Sequence, residues 1–274
     1  MSVEQDARRA VGVIGLGLVG RAIAARLQAA GFEVLGYDKS PQAMQRFEGK
    51  ATVEAKCAKR IVLAVFDTPD VVQIAAEAAP DLFIDCTAGD PKGIEALARD
   101  LAAKGVRYVE ASLSGSSEAI RRGEATMFTG GDASGCEDIL AAISSRRHGL
   151  GAPGMAARAK LATNLVLGLN RAALAEGMAF AEVLGIERRQ FLDLYRDSPA
   201  ASVAAIAKGE KMVSGDYAPE SRIRQHLKDV RRMLDYTTLA LPLTQAHEKL
   251  LAAAVAAGDG ELDNAALIRR WRST

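Results

Sequence analysis

A short hydrophobic run at residues 11–14 leads directly into a glycine-rich turn, and an alanine-rich segment follows it. The turn reads Gly15-Leu16-Gly17-Leu18-Val19-Gly20. Glycines at these spacings permit a tight turn and let the backbone approach a ligand closely. A strand, a glycine turn and a helix in this order begin a βαβ unit. The pattern therefore predicts that the N-terminal half folds around a parallel sheet, with this turn at the sheet edge.

The same turn predicts a dinucleotide site. A pyrophosphate fits there because the N–H groups at the positive N-terminus of the following helix point at it. Asp38 ends the second predicted strand, roughly 20 residues after the turn, where a carboxylate bonds the adenine-ribose hydroxyls. Its charge would repel a 2′-phosphate, so we expect NAD to be preferred. Lys39 and Ser40 could soften that repulsion, and NADP stays open.

Six short aliphatic runs alternate with amphipathic segments in the first half of the chain, which is typical of a doubly wound α/β sheet. The predicted strands are residues 11–15, 33–37, 61–65, 82–86, 106–110 and 126–129. After about Gly154 the β signal stops, and the predicted helices are residues 156–184, 188–196, 223–240, 243–257 and 264–272. We therefore predict an N-terminal dinucleotide-binding domain (residues 1–155) joined by a long helix to an all-α domain (residues 156–274).

Composition excludes several classes of protein. The chain has 274 residues, with 35 Lys and Arg against 34 Asp and Glu, a net charge of +1 that argues against nucleic acid as the main partner. Cys57, Cys86 and Cys136 are too far apart to predict a disulfide framework or a zinc site. The N-terminus does not resemble a secretory signal, and no apolar run reaches the ~18 residues that span a bilayer. We expect a cytoplasmic protein without a metal.

Two further segments carry candidate chemistry. Lys160 and Asn164 are four residues apart in the predicted long helix and share a face, where an ammonium is suited to acid-base catalysis. On spacing alone, the simpler interpretation is structural: Lys160 extends along the helix surface, and Asn164 is tolerated within the helix without a function. Ser114, Gly115 and Ser116 follow the fifth predicted strand, and their N–H groups could form an anion-binding concavity. Such a turn is more often only a loop.

Together, in this order, these segments resemble the β-hydroxyacid dehydrogenase family, typified by 3-hydroxyisobutyrate dehydrogenase and tartronate semialdehyde reductase. The likeness runs from Val11 to about Ile268. The family's glycine-rich cofactor loop matches residues 15–20, and its Asp-Ala-Pro-Val-Ser-Gly-Gly substrate loop falls on residues 110–116. Its Gly-x-x-Gly-x-Gly-x-x-x-Lys-x-x-Asn-Asn helix falls on residues 151–164.

The resemblance implies roles for individual residues. Lys160 takes the place of the family's catalytic Lys, and Asn164 that of its substrate-binding Asn. The family's Lys-Asp-Leu motif implies that Lys228 reaches the cofactor. The remaining expected contacts are Ser114, Gly115 and Ser116 for the substrate carboxylate, and Val65, Phe66 and Thr87 for the cofactor.

The chain departs from the family pattern at several positions. Ser112 replaces a proline, Ser116 a glycine, Ala156 a glycine and Thr163 an asparagine. None of these changes removes the expected acid-base group. Ser221, near the start of the helix that carries Lys228, stands where many relatives have a bulky apolar residue. We therefore expect a substrate pocket richer in hydroxyls than that of the type members.

The sequence thus predicts an NAD(P)-dependent oxidoreductase that moves hydride between nicotinamide and a small β-hydroxy carboxylate or its semialdehyde. Lys160 would act as general acid and base. Alanine-rich helical faces predict a homodimer or homotetramer, as the resemblance also implies. The alternatives are an imine reductase of similar architecture, whose members usually lack the Lys, and a non-catalytic nucleotide-binding module.

Overall fold

The computed structural model describes residues 10–271, and the N-terminal portion of these forms one eight-stranded sheet. Its strands are β1 (Ala10–Ile14), β2 (Glu33–Tyr37), β3 (Lys50–Ala51), β4 (Arg60–Leu63), β5 (Leu82–Asp85), β6 (Arg107–Ser114), β7 (Thr126–Gly130) and β8 (Arg146–Gly149). Across the sheet the order is β3-β2-β1-β4-β5-β6-β7-β8. The chain leaves β1 toward β2 on one side and continues at β4 on the other. Ligands of such sheets bind beyond the carboxyl ends of the strands at this switch point.

Helices cover the sheet of this first unit. They are α1 (Leu18–Ala29), α2 (Pro41–Gln45), α3 (Thr68–Glu77), α4 (Pro91–Ala103), α5 (Ser117–Arg121) and α6 (Glu137–Ile143), with a 3₁₀ turn at Val53–Cys57. The central strands contribute alternate side chains to two apolar clusters, because successive residues of a strand face opposite sides. Ile84 joins one cluster and Phe83 the other. Burial on both faces is the usual state of a parallel sheet under helices.

All six predicted strands are present, and the sheet is mostly parallel as predicted, with one exception. β7 runs antiparallel to β6, and β8 is parallel to β7. The sequence also missed β3, which has only two residues, and β8, whose Arg146-Arg147-His148-Gly149 run is exposed throughout. A polar edge strand has no apolar alternation to reveal it, although such charge protects an edge from pairing with other chains. β6 also continues to Ser114, four residues beyond its predicted end.

The chain divides into two compact units, one that ends at Lys160 and one that begins at Leu161. The helix α7 (Met155–Val183) contributes to both, and the second unit adds α8 (Arg188–Arg196), α9 (Val203–Ser214), α10 (Ile223–Asp235) and α11 (Pro242–Ala256). Two 3₁₀ segments follow, Asp259–Glu261 and Asn264–Trp271. Helix α9 was not predicted, because its buried positions include Lys208, which interrupts the apolar periodicity.

Two other helix boundaries differ from prediction. Helix α10 ends at Asp235, five residues before the predicted end, and the predicted C-terminal helix is a 3₁₀ segment whose last predicted residue, Arg272, lies outside the described residues. Within residues 10–271, no helix combines the length and the apolar character needed to cross a membrane.

Candidate active site

The glycine turn between β1 and α1 has three glycines with different functions. A Cβ on Gly20 would lie 1.7 Å from the Gly15 oxygen, and one on Gly15 would lie 2.4 Å from the Ala64 oxygen. These two residues therefore pack the turn against its surroundings. Gly17, the residue that precedes α1, has open space on its Cβ side, and the first turn of α1 has neither a side-chain cap nor an acidic residue. The turn fits an anionic pyrophosphate at the helix N-terminus.

Asp38 is held beside this turn at the end of β2. Its Oδ2 accepts a hydrogen bond from the Leu16 N–H at 2.7 Å, and its Oδ1 accepts one from the Ser40 N–H at 2.8 Å. The Lys39 ammonium instead forms an ion pair with Asp70 at 3.0 Å. The carboxylate that the sequence assigned to the ribose hydroxyls is thus fixed next to Leu16 in the glycine turn.

Val65, Phe66 and Thr87 lie at the carboxyl ends of β4 and β5, on the same edge as the glycine turn. The Val65 N–H donates to the Thr87 hydroxyl at 3.2 Å, and a Cβ on Gly15 would lie 3.0 Å from the Val65 side chain. Thr87 is buried, whereas Phe66 is half exposed. The structure therefore brings Gly15, Val65 and Thr87 together.

The predicted carboxylate-binding segment connects the end of a strand to the start of a short helix. Ser114 is the last residue of β6, and the Ser116 hydroxyl accepts a hydrogen bond from the Ala119 N–H at 3.2 Å. The Ser116 oxygen thus caps the short helix α5, while Ser114 lies where β6 ends.

A buried carboxyl group, Asp85, interacts with Lys160, which is on the second turn of α7. Asp85, 1% exposed, accepts hydrogen bonds from the Tyr108 hydroxyl at 2.6 Å and from the Thr87 N–H at 2.8 Å. Burial raises the pKa of Asp85, while the bonds from Tyr108 and Thr87 and the charge of Lys160 lower it. Lys160 therefore interacts electrostatically with the end of β5.

The N-terminus of α7 is bonded to a second buried carboxylate, Glu110 of β6. One carboxyl oxygen accepts from the Gly154 N–H at 2.8 Å and the Ala156 N–H at 3.2 Å, and the other accepts from the Ala157 N–H at 2.5 Å. Burial raises the pKa of Glu110 to about 7, against the lowering effect of these bonds. In the part of the chain that the structure describes, no cluster of His, Cys, Asp and Glu could hold a metal.

Comparisons with known proteins identify the family. A family model described as the NAD binding domain of 6-phosphogluconate dehydrogenase matches residues 10–151. A second model, described as NAD-binding of NADP-dependent 3-hydroxyisobutyrate dehydrogenase, matches residues 154–271. The L-threonate dehydrogenase of Cupriavidus necator is 32% identical over 283 residues, which cover 95% of each chain. The chain belongs to the β-hydroxyacid dehydrogenase family.

Other members of the β-hydroxyacid dehydrogenase family are similar to this chain over most of its length. Glyoxylate/succinic semialdehyde reductase 1 of Arabidopsis thaliana is 26% identical over 94% of this chain and 96% of its own. The crystal structure of 3-hydroxyisobutyrate dehydrogenase from Salmonella typhimurium matches with a TM-score of 0.86 at 25% identity, over 95% of this chain and 99% of that one. The protein is an NAD(P)-dependent oxidoreductase of this family.

Two predicted residues lie in the second unit. Asn164 is four residues after Lys160 on α7, so the two share one face of that helix. Lys228 lies on α10. Their contacts with substrate and cofactor stay predictions.

Sequence reasoning missed two buried acidic groups of this dehydrogenase: Asp85, on which the charge of Lys160 acts, and Glu110, which bonds the start of α7. Asp85 and Glu110 are aligned on neighbouring strands, and Tyr108 lies two residues before Glu110. The available signal was a carboxylate at the end of, or within, an otherwise apolar strand, where an unpaired charge is costly to bury. Their partners were not evident because they are far apart in sequence.

Proposed function

We propose that this enzyme transfers hydride between a nicotinamide cofactor and the hydroxyl-bearing carbon of a small β-hydroxy carboxylate or its semialdehyde. The observation that carries the proposal is that the charge of Lys160 acts on Asp85 and Cys86 at the end of β5, where it lowers the pKa of both groups against the effect of burial. Asp85 bonds the Thr87 N–H, and Thr87 bonds Val65 beside the glycine turn. An ammonium at the edge where a dinucleotide fits is suited to proton transfer at a substrate hydroxyl.

Each predicted residue has a part in this chemistry. The bound nicotinamide supplies the hydride acceptor at C4. During oxidation the neutral amine of Lys160 would take the proton of the substrate hydroxyl as the hydride leaves the same carbon, and during reduction the Lys160 ammonium would return that proton to the carbonyl oxygen. Asn164 holds the substrate oxygen near Lys160. Ser114, Gly115 and Ser116 bind the carboxylate through N–H groups and hydroxyls.

We infer a four-carbon polyhydroxy acid as the best substrate. The relative from Cupriavidus necator is named for L-threonate. Ser112 lies on the same face of β6 as Ser114, because the two are separated by one residue. Its hydroxyl is buried and has no hydrogen-bond partner. Additional hydroxyls on the substrate suit this polar lining better than an alkyl branch does.

The test is a substrate panel with purified protein. L-threonate, 3-hydroxyisobutyrate, glycerate and the methyl ester of the best acid are each assayed for formation of reduced cofactor, with NAD and with NADP. We expect L-threonate to give the highest kcat/KM and the ester to be poor. Turnover of none of the acids would contradict the proposed function. Equal kcat/KM for acid and ester would remove the carboxylate site at Ser114–Ser116 only.

We further propose that NAD is the preferred cofactor, with Lys228 as an additional contact to it. The carboxylate of Asp38 lies beside the glycine turn, and the cation next to it, Lys39, is engaged by Asp70. A 2′-phosphate at this position would meet the negative charge of Asp38 without a compensating partner from Lys39.

The remaining proposals concern the state of the protein in the cell. We propose that residues 1–155 bind most of the dinucleotide and the substrate carboxylate, and that residues 156–274 supply Lys160, Asn164, Lys228 and the subunit contacts. Phe180, Val183 and Leu184 at the end of α7 are 61–82% exposed, which supports a homodimer or homotetramer. All three cysteines are free thiols, which suits the reducing cytoplasm. Measuring the mass in solution by light scattering tests the oligomer.

A further inference from the structure

The start of helix α7 is fixed by a side chain from the sheet. The Glu110 carboxylate accepts three backbone N–H bonds, from Gly154, Ala156 and Ala157. Glu110 is 0% exposed, so these bonds face no competition from water. Because N–H groups of a first helical turn have no partner within the helix, a carboxylate here satisfies them and interacts favourably with the helix dipole.

The neighbouring strand leaves room for this carboxylate. Gly130 of β7 is paired with Glu110, and a Cβ on Gly130 would lie 2.8 Å from a Glu110 carboxyl oxygen and 2.7 Å from the Ala152 oxygen. Any side chain at Gly130 would therefore displace either Glu110 or the backbone that leads into α7. A third strand, β5, contributes Asp85, which is aligned with Glu110 and has a buried carboxyl of its own.

We propose that Glu110 is a positioning residue for Lys160, a role that rests on the proposed function of Lys160 as the acid-base group. The donors Gly154, Ala156 and Ala157 are three to six residues before Lys160, within two helical turns. Their bonds to Glu110 fix the rotation and height of the turn from which the Lys160 side chain extends. β6 also carries Ser114, so a single strand sets both the carboxylate-binding segment and the start of the catalytic helix.

The chemistry of the side chain favours a positioning role over a general contribution to stability. A buried carboxylate with a pKa raised to about 7 is costly to keep ionised, and an apolar side chain would avoid that cost. Three convergent bonds to a charged acceptor are stronger and more directional than contacts of an apolar side chain. The ion pair between Glu95 of α4 and Arg158 is a second, partly exposed contact that holds the first turn of α7.

The experiment compares Glu110→Gln, Glu110→Asp and Lys160→Ala, with Val11→Ala as a stability control. Gln keeps the size of the Glu110 side chain but places an NH₂ group against the backbone N–H donors of α7. Asp keeps a charged acceptor for those donors. Val11 is buried at the start of β1, away from the carboxyl ends of the strands. For Glu110→Gln we expect kcat to fall about 10²-fold, as a misplacement of about 1 Å does, with the Kd for cofactor and the KM changed little. Glu110→Asp should recover most of kcat.

The outcomes separate this inference from the function on which it depends. If Lys160→Ala keeps kcat, the proposed function is wrong. If Lys160→Ala loses kcat while folded Glu110→Gln keeps it, or if Glu110→Asp recovers nothing, the positioning role is wrong. Val11→Ala should lower Tm and leave kcat unchanged. If Glu110→Gln does not fold, the test rests on Glu110→Asp and Gly130→Ala. We expect Gly130→Ala to lower kcat and to change KM little. An unchanged kcat in Gly130→Ala would overturn the inference.

Discussion

The ion pair between Lys208 and Asp263 in the second unit is the basis for a stability prediction. Lys208, on α9, is 1% exposed and its Nζ lies 2.9 Å from Asp263 Oδ2 and 3.0 Å from Glu220 Oε2. Asp263 also accepts backbone N–H bonds from Glu220, Ser221 and Ala265, at 2.9 to 3.0 Å. Burial alone would raise the pKa of Asp263, but Lys208 and these donors hold it below its usual value. The carboxylate is therefore charged in the folded protein.

Replacement of Lys208 and replacement of Asp263 should lower the free energy of unfolding by different amounts. Loss of one partner of a buried pair costs about 3–5 kcal/mol because a charge is left without compensation. In Lys208→Met the backbone donors still solvate Asp263, so we expect about 3 kcal/mol. In Asp263→Asn the Lys208 ammonium keeps only Glu220, and at least one N–H donor faces an amide NH₂ at about 1–2 kcal/mol more. We expect about 5 kcal/mol for that variant.

Urea unfolding followed by fluorescence measures both costs. Trp271 is the only tryptophan and packs against the apolar clusters of the second unit, so its emission reports on the unfolding of that unit. The double variant should cost less than the sum of the single variants, by about 2 kcal/mol. A smaller loss for Asp263→Asn than for Lys208→Met, at an unchanged m-value, would refute the assignment of the backbone donors as the second source of stabilisation.

Three further predictions concern the active site and pH. Lys160→Ala should lower kcat by about 10²- to 10⁴-fold with the cofactor Kd unchanged, whereas Asn164→Ala should mainly raise KM, as steady-state kinetics and cofactor titration will check. Asp38→Asn should narrow the ratio of kcat/KM for NAD over NADP, because it removes the charge that repels a 2′-phosphate. Burial, with a smaller effect of nearby Arg171, lowers the pKa of His247 to about 4. This group should therefore lower the stability of the second unit by up to about 3 kcal/mol as the pH falls from 6.5 to about 4, measured as the difference between wild type and His247→Gln in urea unfolding followed by Trp271 fluorescence.

The direction of the pH effect and the cofactor ratio can each contradict these predictions. The unfolded chain binds a proton at His247 near pH 6.5 and the folded chain does so only near 4, so the loss occurs as the pH falls through that interval. A wild-type preference for NADP of tenfold or more, about 1.4 kcal/mol, would contradict the ribose role of Asp38.

The parts of the fold that the sequence predicted are those whose signal lies within a few consecutive residues. The strand at Glu33–Tyr37 and the helix at Arg188–Arg196 have the predicted bounds. The direction of β7 was not predictable in this way, because a strand's orientation depends on its connection and partner rather than on its own alternation. The exposed strand Arg146–Gly149 lacks alternation as well, so only its pairing with β7 identifies it.

The same distinction applies to the site. Gly17 and Asp38 were found because a turn and a strand end are local patterns, whereas the hydrogen bond that the Ala157 N–H donates to Glu110 joins residues 47 positions apart. A carboxylate in an apolar strand nevertheless indicates that donors exist somewhere, because burial without them would cost several kcal/mol. For Glu110 those donors are N–H groups at the start of a helix, which no side-chain pattern encodes. The contact proposed to position Lys160 is therefore not visible in the sequence pattern, because the strand supplies the acceptor side chain and the distant helix supplies only backbone N–H groups.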